Sequence, residues 1–583
     1  MPADFYTGGM MLLMFLPLWL REESFAPALA GGETFGPDEG GEELRRFRIR
    51  GIAVLPSTSR RRSEMTRGSG RCAAILTVAL MAGCSSDHPS PRGVILISLD
   101  TLRADRLSCY GHVRETSPAL DGIAASGARF ETTYTTAPWT IPAHLSMLTG
   151  THPDLHRRPD EQIPEDGREL AFNYWNLDPV FTTLAEAFRD AGHATAAFVD
   201  TPWLVPALGF DQGFDTYDTE AALIDVTDHE GGIRLVARKA LAWLDSLPED
   251  RPFFLFLHVF DVHGPFTPPA PWSDRFVGDA LYSSRAGERY DVVNATDVFG
   301  VISEHLVRKD REDRANPTGF LDSQYDGGIA FTDAELGTFV GELRRRGLHH
   351  DTILAISSDH GESLGEHRFF GHGVLYREVI NVPFLLCWPA RIPAGTVIRP
   401  PVSVLDIAPT LLDLAGLRPP AETEGSTLVP LLSGESPPEL LDRSFYLEWG
   451  IRRQYGLIHG GRKTLLRFPH ITEQRLGWLE DLEEIDPLGT VEKVLETFDL
   501  ARDPGELRAA PPSDEELRAL VAANSRRRKI VEEVKARKLT GAPSKGLDPV
   551  LLQRLREVGY LQDSETPGTP GPGNEPREER RSP

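Results

Sequence analysis

Uninterrupted apolar runs recur between residues 93 and 387 and predict buried strands. The clearest are GVILISL (Gly93–Leu99), FFLFLHV (Phe253–Val259) and TILAISS (Thr352–Ser358). TAAFVD (Thr195–Asp200) and VPFLLC (Val382–Cys387) fit two further strands. Runs of this length without polar alternation are typical of strands covered on both faces, which favours a parallel sheet.

Helical spacing falls between and after these strands. TLAEAFRDAG and FTDAELGTFVGELRRRG carry apolar residues at helical intervals, and each ends at a glycine, which is a helix stop signal. SVLDIAPTLLDLAG has the same pattern but is interrupted by Pro409. The alternation of strands and helices predicts an α/β fold, a large and mostly parallel sheet sandwiched by helices.

The pattern changes after about Pro430. The shorter strand-like pieces RSFYLEW, QYGLIHG and KTLLRF precede ETFDLARDPGE and a charged helical stretch that runs to about Lys538. We therefore predict a smaller α+β C-terminal subdomain over residues 430–545, packed against a large catalytic domain over residues 91–429. Residues 561–583 are rich in proline, glycine and charge, which predicts a disordered tail.

A signal-peptide pattern begins at Met65. Arg67 and Arg71 form a positive region, and Cys72–Met81 is an apolar core shorter than the roughly 20 residues that a membrane-spanning helix needs. LMAGC resembles a bacterial lipobox, which implies that Cys84 is lipidated and anchors the protein in the cell envelope, on the periplasmic or outer-membrane face. The alternative is a chance apolar run. Residues 1–64 then form a misassigned or disordered extension.

The net charge and the spacing of the cysteines argue against some classes of partner and of site. The formal net charge of −24 argues against a nucleic-acid partner, because phosphate backbones require a surplus of lysine and arginine. The four cysteines show neither a disulfide framework nor metal-type spacing. Cys109 and Cys387 could form a disulfide, but buried free thiols are the favoured interpretation.

Three predicted strands are followed by side chains of the types that bind metal ions. Asp100 follows the first strand, Asp261 and His263 follow FFLFLHV, and Asp359 and His360 follow TILAISS. Sites in α/β sheets lie beyond the carboxyl ends of strands, so these residues are expected to converge. An aspartate at a strand end is also a common turn residue, and the convergence of three such ends is what indicates a site.

Several motifs in one order resemble the sulfatase family of the alkaline phosphatase superfamily. They span roughly Gly93 to Glu506, and they are ILISLDTLRADRLSCYG, APWTIPAHLSMLTG, FDVHGPFTPP, SSDHGESLGEH, GHGVLYREVINVP, EGSTLVPLLSGE and FDLARDPGE. The resemblance implies an ester hydrolase with one divalent metal. It also implies a nucleophile at the N-terminus of a helix.

The resemblance assigns roles to individual residues. It implies that the nucleophile is Thr140 and that one metal is held by Asp100, Thr140, Asp359 and His360. Further catalytic positions are His144, His263 and His372, and the candidate substrate-binding residues are Arg103 and His156. The purely structural alternatives are a helix cap for Thr140 and a packed helix residue for His144.

The departures from the family pattern change the expected chemistry. Sulfatases convert a cysteine or serine into formylglycine, and Thr140 cannot yield that aldehyde because its Cβ carries a methyl group. A second aspartate is replaced by Thr101, an asparagine by His360 and an arginine by His144. Losing a carboxylate and gaining an imidazole favours zinc or manganese over calcium. A second metal at Asp261, His263 and His372 is a further alternative.

Three functions follow from these residues. The first is a hydrolase of sulfate or phosphate esters, including diesters and phosphonates, acting on a small molecule, a glycan or a lipid headgroup. The second is a transferase of phosphoethanolamine-like or glycerophosphate groups onto envelope material. The third is a non-catalytic binding protein, which the intact set of candidate ligands disfavours.

Overall fold

The computed structural model describes residues 90–157, 175–224, 231–277, 317–449, 454–467 and 494–538. The predicted N-terminal extension, the lipobox with Cys84 and the C-terminal tail lie outside the described residues. The predicted domain limits, the lipid anchor and the envelope location therefore stay predictions. In the described part of the chain, no helix has the length and apolar character needed to cross a membrane.

A large mixed sheet forms the centre of the fold. Its strands are β1 (Gly93–Leu99), β2 (Ala128–Tyr134), β3 (Ala194–Val199), β4 (Thr216–Asp218), β5 (Phe253–Val259), β6 (Thr352–Ser357), β9 (Asn381–Cys387), β10 (Thr396–Ile398) and β11 (Val402–Ser403). Their order is β10-β2-β9-β6-β1-β5-β3-β4, with β11 also beside β2. All pairs are parallel except those of β9 with β2 and β6, so the predicted mostly parallel sheet is confirmed.

α-Helices cover both faces of this sheet, and others lie beside it. They are α1 (Pro118–Ser126), α2 (Thr140–Thr149), α3 (Leu184–Asp190), α4 (Gly232–Ser246), α5 (Trp272–Arg275), α6 (Pro317–Arg345), α7 (Arg377–Ile380), α8 (Ile407–Leu414), α9 (Val429–Leu432), α10 (Pro438–Leu441) and α11 (Asp514–Lys538). Short 3-10 helices lie at Ala104–Arg106, Ser108–Tyr110, Pro153–His156, Pro206–Leu208, Ala221–Leu223, Glu366–Arg368 and Val404–Asp406.

The strand β1 shows why the apolar runs are continuous. Val94 and Leu96 point into a core shared with α2, α3 and α8, whereas Ile95 and Ile97 point into a second core shared with α1, α4 and α6. Successive side chains of a strand face opposite sides of the sheet, so a strand covered on both faces must be apolar at every position. The helices on the two faces supply that cover.

The predicted strands match the structure to within about one residue, but one helix differs from its prediction. Pro409 does not interrupt a helix, because α8 begins only at Ile407 and places this proline in its first turn. A proline is tolerated there, since the first N–H groups of a helix have no partner within the helix. The apolar residues before it form a 3-10 turn that Ser403 caps.

A second, antiparallel sheet forms the C-terminal part of the described chain. It contains β12 (Phe445–Trp449), β13 (Gln454–His459), β14 (Arg462–Arg467) and β15 (Val494–Asp499), in that order. One face packs on the residues around α7, and the other packs on α11 through Leu520 and Ala523. A separate two-stranded hairpin pairs β7 (Ser363–Leu364) with β8 (Phe370–Gly371). The predicted α+β character of this region is confirmed.

The loop after β6 is held against α7 by a close backbone approach at Gly361. A Cβ at this position would lie 2.0 Å from the carbonyl oxygen of Glu378. We expect Gly361→Ala to lower the free energy of unfolding by about 1–3 kcal/mol in urea denaturation, because the backbone must move to admit the methyl group.

Gly341 offers a matched control, because a Cβ there would meet nothing within 4 Å. It lies inside the helix α6, so Gly341→Ala should raise the free energy of unfolding by about 0.5–1 kcal/mol. Equal stability of the Gly361→Ala variant and the wild type would contradict the close approach.

Candidate active site

The carboxyl ends of three neighbouring strands bring the predicted ligands together. Ser98 of β1 pairs in register with Ser357 of β6 on one side and with His258 of β5 on the other. Asp100 and Asp359 lie just beyond these positions and therefore at the same edge of the sheet. This edge is where α/β folds place their sites.

Asp100 and Asp359 are both fully buried. Burial, together with the nearby Asp359, raises the pKa of Asp100 well above its usual range. Burial also opposes ionisation of Asp359, but the surrounding histidines, His360 and His144 first, hold the pKa of Asp359 below its ordinary value. Thr101 donates its backbone N–H to Asp359 Oδ1 at 3.3 Å. It does so with a φ of 56°, a left-handed conformation that is rare for a β-branched residue.

His360 turns one ring nitrogen toward these carboxylates. Its Nδ1 lies 2.9 Å from the carbonyl oxygen of Gly361, and because a carbonyl only accepts, Nδ1 carries the proton. Nε2 then keeps its lone pair and lies 3.4 Å from Asp359 Oδ2 and 3.8 Å from Asp100 Oδ1. A backbone carbonyl that fixes the other nitrogen in this way is typical of histidines that bind metals.

Thr140 is the first residue of α2 rather than its cap. The N-cap is Trp139, and the structure records no side-chain capping bond there, so the predicted capping by Thr140 differs from what is observed. The Thr140 hydroxyl instead lies 3.4 Å from His360 Nε2. The structure thus places Thr140 at a helix N-terminus and beside the predicted ligands, as the sequence indicated.

His144 lies one turn further along α2 and is completely buried. Its Nδ1 donates to the carbonyl oxygen of Thr140 at 2.8 Å, and its Nε2 accepts from the Ser98 hydroxyl at 2.9 Å. Burial lowers the pKa of His144 to about 3. A neutral imidazole with both nitrogens engaged fixes the first turn of α2 against β1, and the catalytic role of His144 stays a prediction.

His263, Glu362 and His372 meet at the same edge of the sheet. His372 Nδ1 lies 3.4 Å from Glu362 Oε2, and the ring centroids of His263 and His372 are 5.2 Å apart. One donor atom from each of the three lies within 4.8 Å of the others. The rings of His372 and His360 are 4.4 Å apart, so this group adjoins the first. Burial lowers the pKa of His263 to about 3 and raises that of Glu362 well above its usual range. Sequence reasoning missed Glu362, although it lies only two residues after His360.

His258 is a second residue that the sequence analysis does not single out, because it lies inside the apolar run of β5. It is fully buried, and its Nε2 lies 3.3 Å from Asp100 Oδ2. Its ring centroid is 5.1 Å from that of His144. The available signal was a single histidine near the carboxyl end of an otherwise apolar central strand.

Asp261 does not join this group, although it lies close to His263 in sequence. Its Oδ2 accepts a hydrogen bond of 2.7 Å from the backbone N–H of Ile233, at the start of α4. Gly232 has a φ of +50°, and a Cβ there would lie 2.3 Å from Asp261 Oδ1. The proposed second metal set of Asp261, His263 and His372 is therefore corrected, since this aspartate caps a helix.

The two predicted substrate-binding residues have other partners. The guanidinium of Arg103 bonds to both carboxylate oxygens of Asp105 at 2.9 Å and to Glu366 at 2.9 Å. His156 Nε2 lies 2.7 Å from the Thr151 hydroxyl, and its ring packs on Phe181. Among the described residues, no contact joins either one to Thr140, but Arg103 also donates to the carbonyl oxygen of Glu362 at 3.0 Å. Their roles in substrate binding stay predictions.

The first group of residues fits a divalent cation. Donor atoms of Asp100, Asp359 and His360 lie within 4.8 Å of one another and are buried. Both carboxylate oxygens of Asp100 and Oδ2 of Asp359 accept no hydrogen bond from the described residues. Buried carboxylate oxygens without donors are costly, and a cation bound between them would satisfy these atoms.

The chain is similar to curated arylsulfatases. Arylsulfatase K from Mus musculus is 25% identical to this chain, with 74% of this chain and 80% of that protein covered. An arylsulfatase from Clostridium perfringens is 24% identical, with 58% of this chain and 78% of that protein covered.

Solved structures confirm the fold. A protein in complex with its substrate D-glucosamine-2-N,6-O-disulfate superposes with a TM-score of 0.57 at 19% identity, covering 76% of this chain and 98% of that one. The phosphonate monoester hydrolase of Agrobacterium radiobacter superposes with a TM-score of 0.53 at 20% identity, covering 77% and 96%.

Two family models match the chain directly. The model described as N-sulphoglucosamine sulphohydrolase, C-terminal, matches residues 365–484. The model described as Sulfatase matches residues 92–417. Because that match covers more than half of the sequence, the chain belongs to the sulfatase family and is an ester hydrolase.

Proposed function

We propose that this protein is a metal-dependent hydrolase of phosphate or phosphonate esters and that Thr140 is its nucleophile. The observation that carries the proposal is the position of the Thr140 hydroxyl. It lies at the N-terminus of a ten-residue helix and 3.4 Å from His360 Nε2, beside two buried carboxylates. This arrangement puts a hydroxyl, potential metal ligands and free helix N–H groups at one point.

The chemistry of threonine favours phosphorus over sulfur. The sulfatases of this family release sulfate from a formylglycine hemiacetal, and the methyl group on the Thr140 Cβ prevents that aldehyde from forming. A covalent ester on Thr140 must therefore be cleaved by attack of water on the central atom. Phosphoryl groups undergo this displacement readily with electrostatic stabilisation and correct positioning.

The proposed reaction has two displacements. In the first, Thr140 Oγ1, having lost its proton to solvent, attacks phosphorus, and the bond to the alcohol oxygen breaks. The alcohol takes up a proton from water. In the second, water attacks the same phosphorus, the bond to Thr140 Oγ1 breaks, and the threonine hydroxyl regains a proton while phosphate or phosphonate leaves.

Residues of the chain prepare this reaction. His144 holds the Thr140 carbonyl and so fixes the direction of the first turn of α2. In the first turn of α2, Pro142 has no N–H and Ala143 donates to the carbonyl oxygen of Trp139, so the amides that remain for the oxygens of the substrate are those of Thr140 and Ile141. Asp100, Thr140, Asp359 and His360 would hold a divalent metal, zinc or manganese in preference to calcium, which would lower the pKa of the threonine hydroxyl.

Sulfate esters are the second candidate substrates. The relatives named above are arylsulfatases, and this favours a sulfated small molecule or glycan. A panel of aryl sulfate, phosphate monoester, phosphodiester and phosphonate monoester substrates separates the candidates. We expect the highest kcat/KM on a phosphorus ester, and a preference for aryl sulfate would overturn the choice of phosphorus.

Replacement of the nucleophile gives the sharpest test of Thr140. We expect Thr140→Ala to lower kcat/KM by about 10³-fold or more, because no covalent intermediate can form. Thr140→Ser retains a hydroxyl and should retain most of the activity. Rapid quenching followed by mass spectrometry should find the modified residue in the peptide that contains Thr140.

Thr338 provides a control, because it is an exposed threonine within a helix away from the site. Thr338→Ala should have wild-type activity and stability. Turnover by Thr140→Ala at the wild-type rate would exclude this nucleophile.

Removal of metal tests the ligand set. After chelation we expect loss of activity and a fall in Tm of at least about 5 °C, because the buried carboxylates lose a ligand that binds only the folded state. Zinc or manganese should restore both properties, followed by differential scanning fluorimetry and turnover. Full restoration by calcium alone would contradict the ligand argument.

A further inference from the structure

We propose that His263, Glu362 and His372 form a second divalent-cation site that adjoins the first. Donor atoms of the three residues lie within 4.8 Å of one another, and all three side chains are buried. Two imidazoles and one glutamate are a donor set that binds zinc in catalytic sites and leaves a position open for water or substrate.

The three side chains come from different parts of the fold. His263 follows β5, Glu362 lies in the loop after β6, and His372 follows the short strand β8. Side chains from three separate loops converge on one point only if the fold positions each of them independently. Such convergence is typical of a ligand site and is not required by packing alone.

The hydrogen bonds of His263 orient it as a ligand. Its Nδ1 donates to the carbonyl oxygen of Gly264 at 2.9 Å, so Nε2 carries the lone pair. His360 in the first group makes the same bond to the residue that follows it. Two histidines with the same backbone anchor therefore present Nε2 from adjacent groups, and this anchor is common among metal-binding histidines.

Other buried groups with suitable donors are less favourable. His144, His258 and Asp359 also lie within 4.8 Å of one another, but both nitrogens of His144 are engaged by Thr140 and Ser98. A metal there would have to break these bonds.

A further such group, His152, Asp154 and Glu448, is bonded to two arginines. Arg527 binds Asp154, and Arg157 binds Glu448. These guanidinium groups already provide positive charge and hydrogen-bond donors for the carboxylates, which disfavours a cation at that place.

The two proposed sites are close enough to act on one substrate. The rings of His360 and His372 are 4.4 Å apart, and Glu362 is within the electrostatic influence of Asp100 and Asp359. Two neighbouring cations can stabilise both the attacking and the leaving oxygen of an in-line displacement. A cation in the second site would thus supply the positive charge that an arginine or lysine supplies in a site with one metal.

Metal content tests the proposal without measuring turnover. The full-length protein is stripped of metal, titrated with zinc, dialysed and analysed by elemental mass spectrometry. We expect two zinc ions per chain in the wild type and one in Glu362→Gln and in His263→Gln. Asp100→Asn, which alters the first site, should also retain one.

His193→Gln is the matched control, because His193 likewise bonds to a backbone carbonyl, that of Phe188, but lies outside both groups. It should retain two zinc ions, and circular dichroism identifies any variant that fails to fold. One zinc ion in the folded wild type, or two in folded Glu362→Gln, would overturn the second site.

Manganese gives an independent readout of proximity. Two manganese ions in adjoining sites should give an exchange-coupled electron paramagnetic resonance spectrum, and Glu362→Gln should show only an isolated-ion spectrum. An uncoupled spectrum in the doubly loaded wild type would contradict adjoining sites. Because neither readout follows hydrolysis, a failure of the nucleophile assignment at Thr140 would leave both results unchanged.

Discussion

Two carboxylates buried side by side are the constraint around which the site is arranged. Asp100 and Asp359 are completely excluded from water, and each follows a central strand of the same parallel pair. Burying one unpaired carboxylate already costs several kcal/mol, and a second like charge increases that cost. The left-handed Thr101, whose amide faces Asp359, and the imidazole of His360 both reduce it.

The sheet order explains why so much of this could be predicted from the sequence. An apolar run covered on both faces must end where the backbone leaves the core, so the first polar residue after it marks the active edge. That logic located Asp100, Asp359 and His360, and it also gave the central strands to within about one residue. The antiparallel insertion of β9 leaves this edge intact, because β6, β1 and β5 remain adjacent and parallel.

The missed residues depend on tertiary relations that spacing does not encode. Asp261 and His263 follow the same strand, yet the N-terminus of α4 binds the aspartate and leaves only the histidine at the site. Glu362 reaches the site because its loop folds back against α7, and the sequence alone does not reveal this contact. His258 looked like a core residue because burial is also what a site at the end of a central strand requires.

The replacement of arginine by histidine in α2 has a consequence for charge across the whole site. Both ring nitrogens of His144 form hydrogen bonds, with Thr140 and Ser98, and the ring is neutral because burial lowers its pKa. His144 therefore carries no positive charge that could balance ionised Asp100, Asp359 or Glu362. Two arginines that follow β1 form ion pairs with other acids. These pairs are Arg103 with Asp105 and Glu366, and Arg106 with Asp322 and Asp326. Arg103 also donates to the carbonyl oxygen of Glu362 at 3.0 Å, but its charge is shared with Asp105 and Glu366. Bound divalent cations, as proposed above, would supply the positive charge that lets Asp100 and Glu362 ionise at neutral pH although burial raises their pKa.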